Sequence, residues 1–505
     1  MRLFEFLLLL SNASWLASSI LLRNRAKRIA LTATSVMSLV LLVAHLSVEG
    51  YRIQLFLAYT ITILTLSATN YSYFKKPAAR QTPRFIKGFA YTVTFIMLAA
   101  TAGFMYAFPF FKLPEPTGPH LVGTQIFHLT DSSREETFDA AKKGNRELMV
   151  QIWYPAQQTK GAPAPMIGQT ALLKEEPLSK TVGFPSFIMN YLKDIPSHSY
   201  EGAEVSTSSP TYPIILLNHG YKSSRIYHTS QAEHLASNGY IVVSIDHTYS
   251  AFATVFPDGR IAPMKTDENK IRDTEYRNMV GKVWTDDIFF VLDQLELWNN
   301  GNVPSPLKGT FNLKGRLDLA NVGVMGHSYG GAASYDAAYN DRIKAGINLD
   351  GALYRYHNRQ GITKPFLFLL SEGTYKQFDE RSQHPVYTDA ELINMGISRA
   401  EAEEEAVTAE LQVEHFANAA RYGGQALYID GMEHYNFADV QYITPLLRYI
   451  GMAGSIKPQR ASSIVNEYSL AFFNKHLKGE ADDSFTMLNN NFPEVKLARF
   501  KTHSR

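Results

Sequence analysis

Apolar residues form long, almost unbroken runs up to about residue 112, and shorter, spaced runs over the rest of the chain. Four of the early runs reach the length of about 17 to 25 residues that a helix needs to cross a bilayer core. They are Leu3 to Leu22, Ile29 to Leu46, Ile53 to Phe74 and Gly88 to Phe110. The pattern predicts an all-α region of four transmembrane helices over residues 1–112.

The charges around these runs predict an orientation. Positively charged loops stay on the cytoplasmic side, so we expect the first and third loops to be cytoplasmic and the chain after the fourth helix to be extracytoplasmic. Their basic residues are Arg23, Arg25, Lys27 and Arg28, then Lys75, Lys76, Arg80, Arg84 and Lys87. Transporters and channels usually have charged residues in the middle of their spans, and none of the four runs has an Asp, Glu, Lys or Arg there. We therefore interpret the helices as an anchor in the cell membrane.

Polar residues within the four runs are predicted to form hydrogen bonds between the helices rather than a permeation path. They are Asn12, Ser35, Thr60, Thr62 and Asn70.

After a Pro-rich linker over residues 113–119, short β-branched runs alternate with amphipathic stretches. This alternation is typical of a mostly parallel sheet flanked by helices, so an α/β domain is predicted over residues 120–505. The predicted strands are Leu148 to Trp153, Ile214 to Leu217, Tyr240 to Ile245, Val322 to Met325, Ala345 to Leu349, Phe366 to Leu370 and Gln425 to Ile429. A helical, acidic insertion at about 378–420 is either a cap over the site or a solvated surface excursion.

Composition and charge exclude several kinds of site and of binding partner. The 505 residues carry a formal net charge of +2, without a basic stripe that would bind nucleic acid. There is no cysteine, which excludes disulfides, thiolate metal sites and a cysteine nucleophile. No histidine spacing typical of a metal site is present, so the sequence predicts an enzyme without metal or other cofactor.

One motif predicts a nucleophile. Gly326-His327-Ser328-Tyr329-Gly330 follows a predicted strand and precedes a helical stretch, Ala332 to Tyr339. In that context a G-x-S-x-G sequence indicates a nucleophile elbow, the sharp turn that exposes a serine above the sheet. Ser328 is the predicted nucleophile.

A serine hydroxyl needs a histidine base and an acid that orients it, and in this fold they follow the serine in the order acid, then histidine. His434, just past the last predicted strand, fits the base. Two carboxylates end strands before it, Asp350 and Glu372, and chain order does not separate them. The short stem of Asp350 favours it as the acid.

Two backbone N–H groups are needed to stabilise the oxyanion. Tyr329, directly after the nucleophile, is predicted to supply one. Tyr221 is predicted to supply the other, because Asn218-His219-Gly220-Tyr221 ends a strand with a histidine–glycine motif. His219 and His327 are expected to be structural neighbours rather than bases. Asp246-His247 ends another strand and could line the pocket, but an ordinary turn is favoured.

From about Gly118 onward the chain resembles the platelet-activating factor acetylhydrolase family, whose members are serine lipases with an α/β-hydrolase fold. The resembling segments are Gly118-Pro-His-Leu-Val-Gly, Trp153-Tyr-Pro, Asn218-His-Gly-Tyr, Leu235-Ala-Ser-Asn-Gly-Tyr-Ile-Val, Gly326-His-Ser-Tyr-Gly-Gly, Leu349-Asp-Gly, Ser371-Glu and His434-Tyr-Asn-Phe-Ala-Asp. The resemblance implies a Ser328, Asp350 and His434 triad, a non-catalytic Glu372, calcium independence, and release of short or oxidised acyl chains from the sn-2 position of phospholipids. The chain departs from the family by its four N-terminal helices.

The sequence thus predicts a membrane-anchored serine ester hydrolase that acts on phospholipids beside a bilayer. One alternative keeps the same triad but places it on a non-lipid ester, either a polyester or an acyl group of the cell envelope. A second alternative is a membrane binding protein with an inactive hydrolase domain.

Overall fold

The computed structural model describes residues 2–74, 83–139, 141, 143–158, 160–174, 185–302, 311–357, 359–480 and 483–500. The chain divides into two compact units. The first is Met1–Phe111 with Tyr442–Leu446, and the second is Lys112–Gln441 with Leu447–Arg505.

The described part of the first unit contains four α-helices, and all four are long and apolar enough to cross a membrane, as the sequence predicts. They are α1 (Leu3–Leu21), α2 (Asn24–Ala44), α3 (Phe56–Phe74) and α4 (Arg84–Ala107). A π-helical turn, His45–Glu49, extends α2, and a 3-10 turn, Ile53–Leu55, precedes α3. Of the basic residues used to predict the orientation, Lys75, Lys76 and Arg80 lie outside the described residues, and the orientation stays a prediction.

Hydrogen bonds between these helices involve three of the five predicted polar residues. Asn12 Nδ2 donates to Thr62 Oγ1 at 3.0 Å, which links α1 to α3. The Ser35 hydroxyl of α2 lies 2.9 Å from a threonine hydroxyl of α3. Thr60 instead donates to a carbonyl of its own helix, so the prediction is wrong for this residue. For the exposed Asn70 it stays a prediction.

An ion-pair cluster lies at the beginning of α1 and the end of α2. Glu5, His45 and Glu49 bring their oxygen and nitrogen ligand atoms within 4.8 Å of one another. Arg52 donates to Glu5 at 2.8 Å, and Arg2 pairs with the same carboxylate. Because two guanidinium groups already neutralise these carboxylates, we interpret the cluster as a set of ion pairs rather than a metal site.

The second unit contains twelve described strands: β1 (Leu121–Glu135), β2 (Asn145–Ala156), β3 (Ser199–Glu201), β4 (Tyr212–Asn218), β5 (Ile241–Asp246), β6 (Ala253–Val255), β7 (Ile261–Pro263), β8 (Leu317–His327), β9 (Ala345–Leu349), β10 (Phe366–Ser371), β11 (Gln425–Ile429) and β12 (Val495–Leu497). Strands β6 and β7 form a separate antiparallel pair. The other ten form one sheet, in the order β12-β11-β10-β9-β8-β4-β5-β2-β1-β3. Its six strands from β11 to β5 are parallel, and β12, β2 and β1 pair antiparallel at the two sides. All seven predicted strands are present, and the predicted α/β class is confirmed.

Helices cover both faces of this sheet because its central strands are apolar on both sides. They are α5 (Thr229–Ser237), α6 (Thr274–Asn299), α7 (Tyr329–Ala337), α8 (Glu372–Arg381), α9 (Asp389–Met395), α10 (Arg399–Ala420), α11 (Pro458–Leu477) and α12 (Asp483–Asn491). One core contains Trp284 and Trp298 of α6, and the other contains Tyr468 and Phe472 of α11.

The segment predicted as a helical insertion contains α9, α10 and the end of α8. Helix α10 connects the parallel strands β10 and β11 and buries Val413 and Phe416 in the core. It is therefore the crossover helix that two neighbouring parallel strands require. For the rest of the segment, which includes α9, a cap over the site stays a prediction.

The carboxyl ends of the parallel strands meet at one edge of the sheet, which is where open α/β sheets place their sites. The last residues of the strands at this edge are Asn218, Asp246, His327, Leu349, Ser371 and Ile429.

Candidate active site

Ser328 lies in a sharp turn between β8 and α7, with φ 54° and ψ −122°. Its N–H donates to the carbonyl of Leu349 at 2.8 Å, which ties the turn to the neighbouring strand. A Cβ atom on Gly330 would lie 2.3 Å from the His219 carbonyl oxygen, and one on Gly326 would lie 2.3 Å from the Gly330 carbonyl. Only glycine fits at both positions, so the structure has the backbone of a nucleophile elbow.

Asp350 directly follows β9 and is held at both carboxylate oxygens. Oδ2 lies 2.8 Å from His434 Nδ1, and Oδ1 accepts from the Ser371 N–H at 2.7 Å. Its side chain is fully buried, and its φ is 56°. The next residue, Gly351, approaches the Ser328 carbonyl so closely that an added Cβ would lie 2.1 Å from it. Asp350 therefore sits between the elbow and the histidine loop.

His434 begins a short 3-10 helix, His434–Phe437, in the loop after β11. Its side chain is 40% exposed, so one edge of the ring can meet a substrate while Nδ1 faces Asp350. The carbonyl of His434 accepts from His327 Nε2 at 2.9 Å, which holds the loop against the residue before Ser328. Burial, followed by the neighbouring His434, holds the pKa of His327 well below its usual range. His327 is thus a neutral structural neighbour, as expected from the sequence.

Glu372, the competing acid, has hydrogen-bond partners other than the histidine. Its Oε2 accepts from the Gly431 N–H at 2.8 Å, and its Oε1 pairs with Lys376 one helical turn away. The hydrogen bond from Lys376, and after it the one from Gly431, lowers the pKa of Glu372. The structure thus brings Asp350, and not Glu372, into contact with His434.

The two N–H groups predicted to stabilise an oxyanion are available. Among the described residues, the N–H groups of Tyr221 and Tyr329 have no hydrogen-bond acceptor within the protein. Tyr329 is the residue after Ser328, and a Cβ on Gly220 would lie 3.2 Å from the Ser328 Cβ. The loop before Tyr221 is therefore in close contact with the elbow.

Sequence reasoning missed how side chains orient this loop. His219 Nδ1 lies 2.6 Å from the Gly220 carbonyl, and His219 Nε2 accepts from the His247 N–H at 3.2 Å. Since Nε2 accepts, the proton of the neutral ring is on Nδ1, and Nδ1–H donates to the Gly220 carbonyl. The Gly220 carbonyl and the Tyr221 N–H belong to one trans peptide group and point in opposite directions. The hydrogen bond from His219 therefore also fixes the direction of the Tyr221 N–H. Burial, with His247 second, holds the pKa of His219 well below its usual range, so the ring stays neutral.

Asp246 and His247, expected to form an ordinary turn, belong to the same support. Asp246 Oδ1 accepts from the hydroxyl of Ser224 at 2.8 Å and from the N–H of Arg225 at 2.9 Å. His247 Nδ1 lies 3.0 Å from Asp287, which also pairs with a buried arginine. The only signal in the sequence was the position of these residues at a strand end.

The chain is similar to known ester hydrolases in sequence and in structure. The family model described as platelet-activating factor acetylhydrolase, isoform II, matches residues 105–492. Platelet-activating factor acetylhydrolase from Cavia porcellus is 24% identical over 389 residues, which are 72% of this chain and 78% of the relative. A probable 1-alkyl-2-acetylglycerophosphocholine esterase from Arthroderma benhamiae is 26% identical over 254 residues, or 48% of this chain and 60% of the relative. The ferulic acid esterase structure from Streptomyces cinnamoneus aligns with a TM-score of 0.56 at 28% identity, covering 77% of this chain and 99% of that one.

Proposed function

The chain belongs to the platelet-activating factor acetylhydrolase isoform II family and is a carboxylic ester hydrolase, and from that premise we propose a membrane-anchored enzyme that releases short or oxidised acyl chains from phospholipids. The triad of this proposal is Ser328, His434 and Asp350. The observation that carries it is the 2.8 Å contact between Asp350 Oδ2 and His434 Nδ1 beside the strained elbow. The acetyl ester named in the relatives supports the short acyl chain.

In the first half of the proposed reaction, the Ser328 hydroxyl oxygen forms a bond to the ester carbonyl carbon while its proton passes to His434 Nε2. Asp350 orients the ring and stabilises the imidazolium cation that results. The N–H groups of Tyr221 and Tyr329 donate to the negative oxygen of the tetrahedral intermediate. The ester bond to the alcohol then breaks, and His434 returns the proton to the leaving lysophospholipid oxygen, which leaves an acyl group on Ser328.

The second half repeats these steps with water as the nucleophile. His434 takes a proton from the water, whose oxygen bonds to the acyl carbon. The bond between that carbon and the Ser328 oxygen breaks, the proton returns to Ser328, and a carboxylic acid leaves. Ser328 and His434 thus return to their starting protonation states at the end of the cycle.

We propose further that the four apolar helices anchor this domain in the cell membrane on the extracytoplasmic side. Their length and apolar composition support the anchor. The basic residues Arg23, Arg25, Lys27 and Arg28 at the junction of α1 and α2 support the orientation. An enzyme fixed in this way meets phospholipids at the surface of its own bilayer.

A second candidate substrate is a non-lipid ester, and the structural similarity to the ferulic acid esterase favours it. The triad and oxyanion donors would be the same, and only the leaving alcohol and acyl group would differ.

The test compares the full-length protein in lipid nanodiscs with its Ser328→Ala variant as the blank. The substrates are a phospholipid with an acetyl group at sn-2, a phospholipid with long acyl chains, a soluble acetyl ester and a feruloyl ester. We expect the highest kcat/KM on the sn-2 acetyl phospholipid and no turnover by the variant. Activity confined to the soluble or feruloyl ester would replace the phospholipid with the second candidate, and hydrolysis that survives in Ser328→Ala would refute the proposed nucleophile.

A further inference from the structure

Helix α5 follows the loop that carries Tyr221. That loop is fixed just before the helix, where Asp246 Oδ1 accepts from the Ser224 hydroxyl and from the Arg225 N–H. The position of α5 is thus tied to the end of strand β5 and to the loop of the proposed oxyanion donor.

The first turn of α5 also holds the loop that carries His434. The Ser230 N–H donates to Asp439 Oδ2 at 2.9 Å, and the Ser230 hydroxyl donates to Asp439 Oδ1. Next to this pair, Gln231 Nε2 donates to the Phe437 carbonyl at 2.6 Å. Three hydrogen bonds therefore join the beginning of the helix to residues that lie three and five positions after His434.

The segment between His434 and Asp439 is itself well fixed. Residues His434 to Phe437 form a 3-10 helix, and Asn436 Oδ1 accepts from the Glu433 N–H at 2.9 Å and from the Gly454 N–H at 2.7 Å. Because one 3-10 helix joins His434 to Phe437, a displacement of Phe437 and Asp439 is expected to move His434 as well.

The interaction suits both partners chemically. The first N–H groups of a helix have no acceptor within the helix, and a carboxylate there also meets the positive end of the helix dipole. Asp439 is 1% exposed, and burial raises its pKa to about 7, with the nearby Glu233 carboxylate also raising it. Asp439 does not touch the His434 ring, whose Nδ1 faces Asp350.

We propose that Asp439 is a positioning residue, which sets His434 relative to Ser328 by joining the histidine loop to the helix that follows the oxyanion loop. One short helix then fixes both the base and an oxyanion donor. This inference rests on the proposed triad.

The test measures kcat and KM of the full-length protein on a soluble acetyl ester. Removal of the carboxylate in Asp439→Ala is expected to lower kcat by about 10- to 100-fold, the effect of a base displaced by an ångström or less. KM is expected to change less than about twofold, because Asp439 is buried and its hydrogen bonds go to Ser230. The Asp439→Asn variant is expected to restore kcat to within about threefold of the wild type, because its amide can accept from the Ser230 N–H and donate to the Ser230 hydroxyl oxygen.

A matched control is Glu233→Ala, which removes another buried carboxylate, one that belongs to α5 itself. The Glu233 carboxylate accepts from the His198 N–H at 2.7 Å. It is expected to lower the melting temperature without lowering kcat. Equal losses of kcat in Glu233→Ala and Asp439→Ala would reduce Asp439 to a stabilising helix cap and overturn the inference, as would an unchanged kcat in folded Asp439→Ala.

If Asp439→Ala does not fold, Ser230→Ala carries the test, since it removes only the hydroxyl bond and is expected to lower kcat about 3- to 10-fold. An unchanged kcat in this variant also overturns the inference. Failure of the triad itself would be seen separately, as activity that survives in Ser328→Ala.

Discussion

The Asp350→Asn substitution keeps the volume of the carboxyl group but turns one acceptor oxygen into a donor nitrogen. Only one orientation of the amide keeps the hydrogen bonds to both Ser371 and His434. Its oxygen must accept from the Ser371 N–H, which now donates to Asp350 Oδ1 at 2.7 Å, so its NH2 group faces His434 Nδ1. His434 must then carry its proton on Nε2, the nitrogen that should accept the proton of Ser328.

The magnitude follows from these two contacts. Turning the amide round restores the productive tautomer but leaves the buried Ser371 N–H without an acceptor, at a cost of about 1–3 kcal/mol. The transition state also loses a hydrogen bond between charged partners, worth about 1.5–3 kcal/mol. Together these costs correspond to a fall in kcat of about 10²- to 10⁴-fold, at about 1.4 kcal/mol for each factor of ten.

The assay is hydrolysis of a soluble acetyl ester by the full-length protein, with Glu372→Gln as the matched control. Glu372 also directly follows a strand and also accepts from a backbone N–H, but its hydrogen bonds go to Gly431 and Lys376 rather than to His434. We expect its substitution to leave kcat within about threefold. Asp350→Asn with less than a tenfold loss, or Glu372→Gln with an equal loss, would refute the assignment of the acid.

Two further predictions use the same surroundings. In Gly220→Ala the new methyl group would lie 3.2 Å from the Ser328 Cβ; the loop must shift, and we expect kcat to fall about 10- to 100-fold while the melting temperature stays close to that of the wild type. The second concerns pH. Because the pKa of Asp439 rises from 3.8 unfolded to about 7 folded, its stabilising contribution is present below about pH 4 and lost as the pH rises to about 7. The melting temperature of Asp439→Asn should therefore fall less than that of the wild type between pH 5 and about pH 8, and parallel curves would contradict the prediction.

Much of the sheet could be predicted because its central strands are apolar on both faces. The predicted bounds of Ala345–Leu349 and Gln425–Ile429 agree with the structure at both ends. Strand β1, Leu121–Glu135, was missed although it is the longest of the described strands. Polar residues such as Thr124 and Gln125 are buried in it by pairing with β2, and hydrophobic periodicity does not reveal such a strand.

The residues of the site that lie in recognisable local motifs, in the expected chain order, could be predicted from the sequence. Ser328 and His434 are marked by their own surroundings in the sequence. The choice between Asp350 and Glu372 depends on which neighbouring strand end faces the histidine loop, and that is a property of the folded sheet. The contacts of His219 and Asp439 were invisible for the same reason, since each joins segments far apart in the chain.

The backbone strain at Ser328 bears on how such an enzyme would change under selection. A residue other than glycine at φ 54° and ψ −122° lowers folding stability by about 1–3 kcal/mol. Ser328→Gly would relieve that strain and abolish hydrolysis in a single step. A population or a mutant library selected only for protein yield would therefore drift towards inactive sequences, and only selection for turnover maintains the serine.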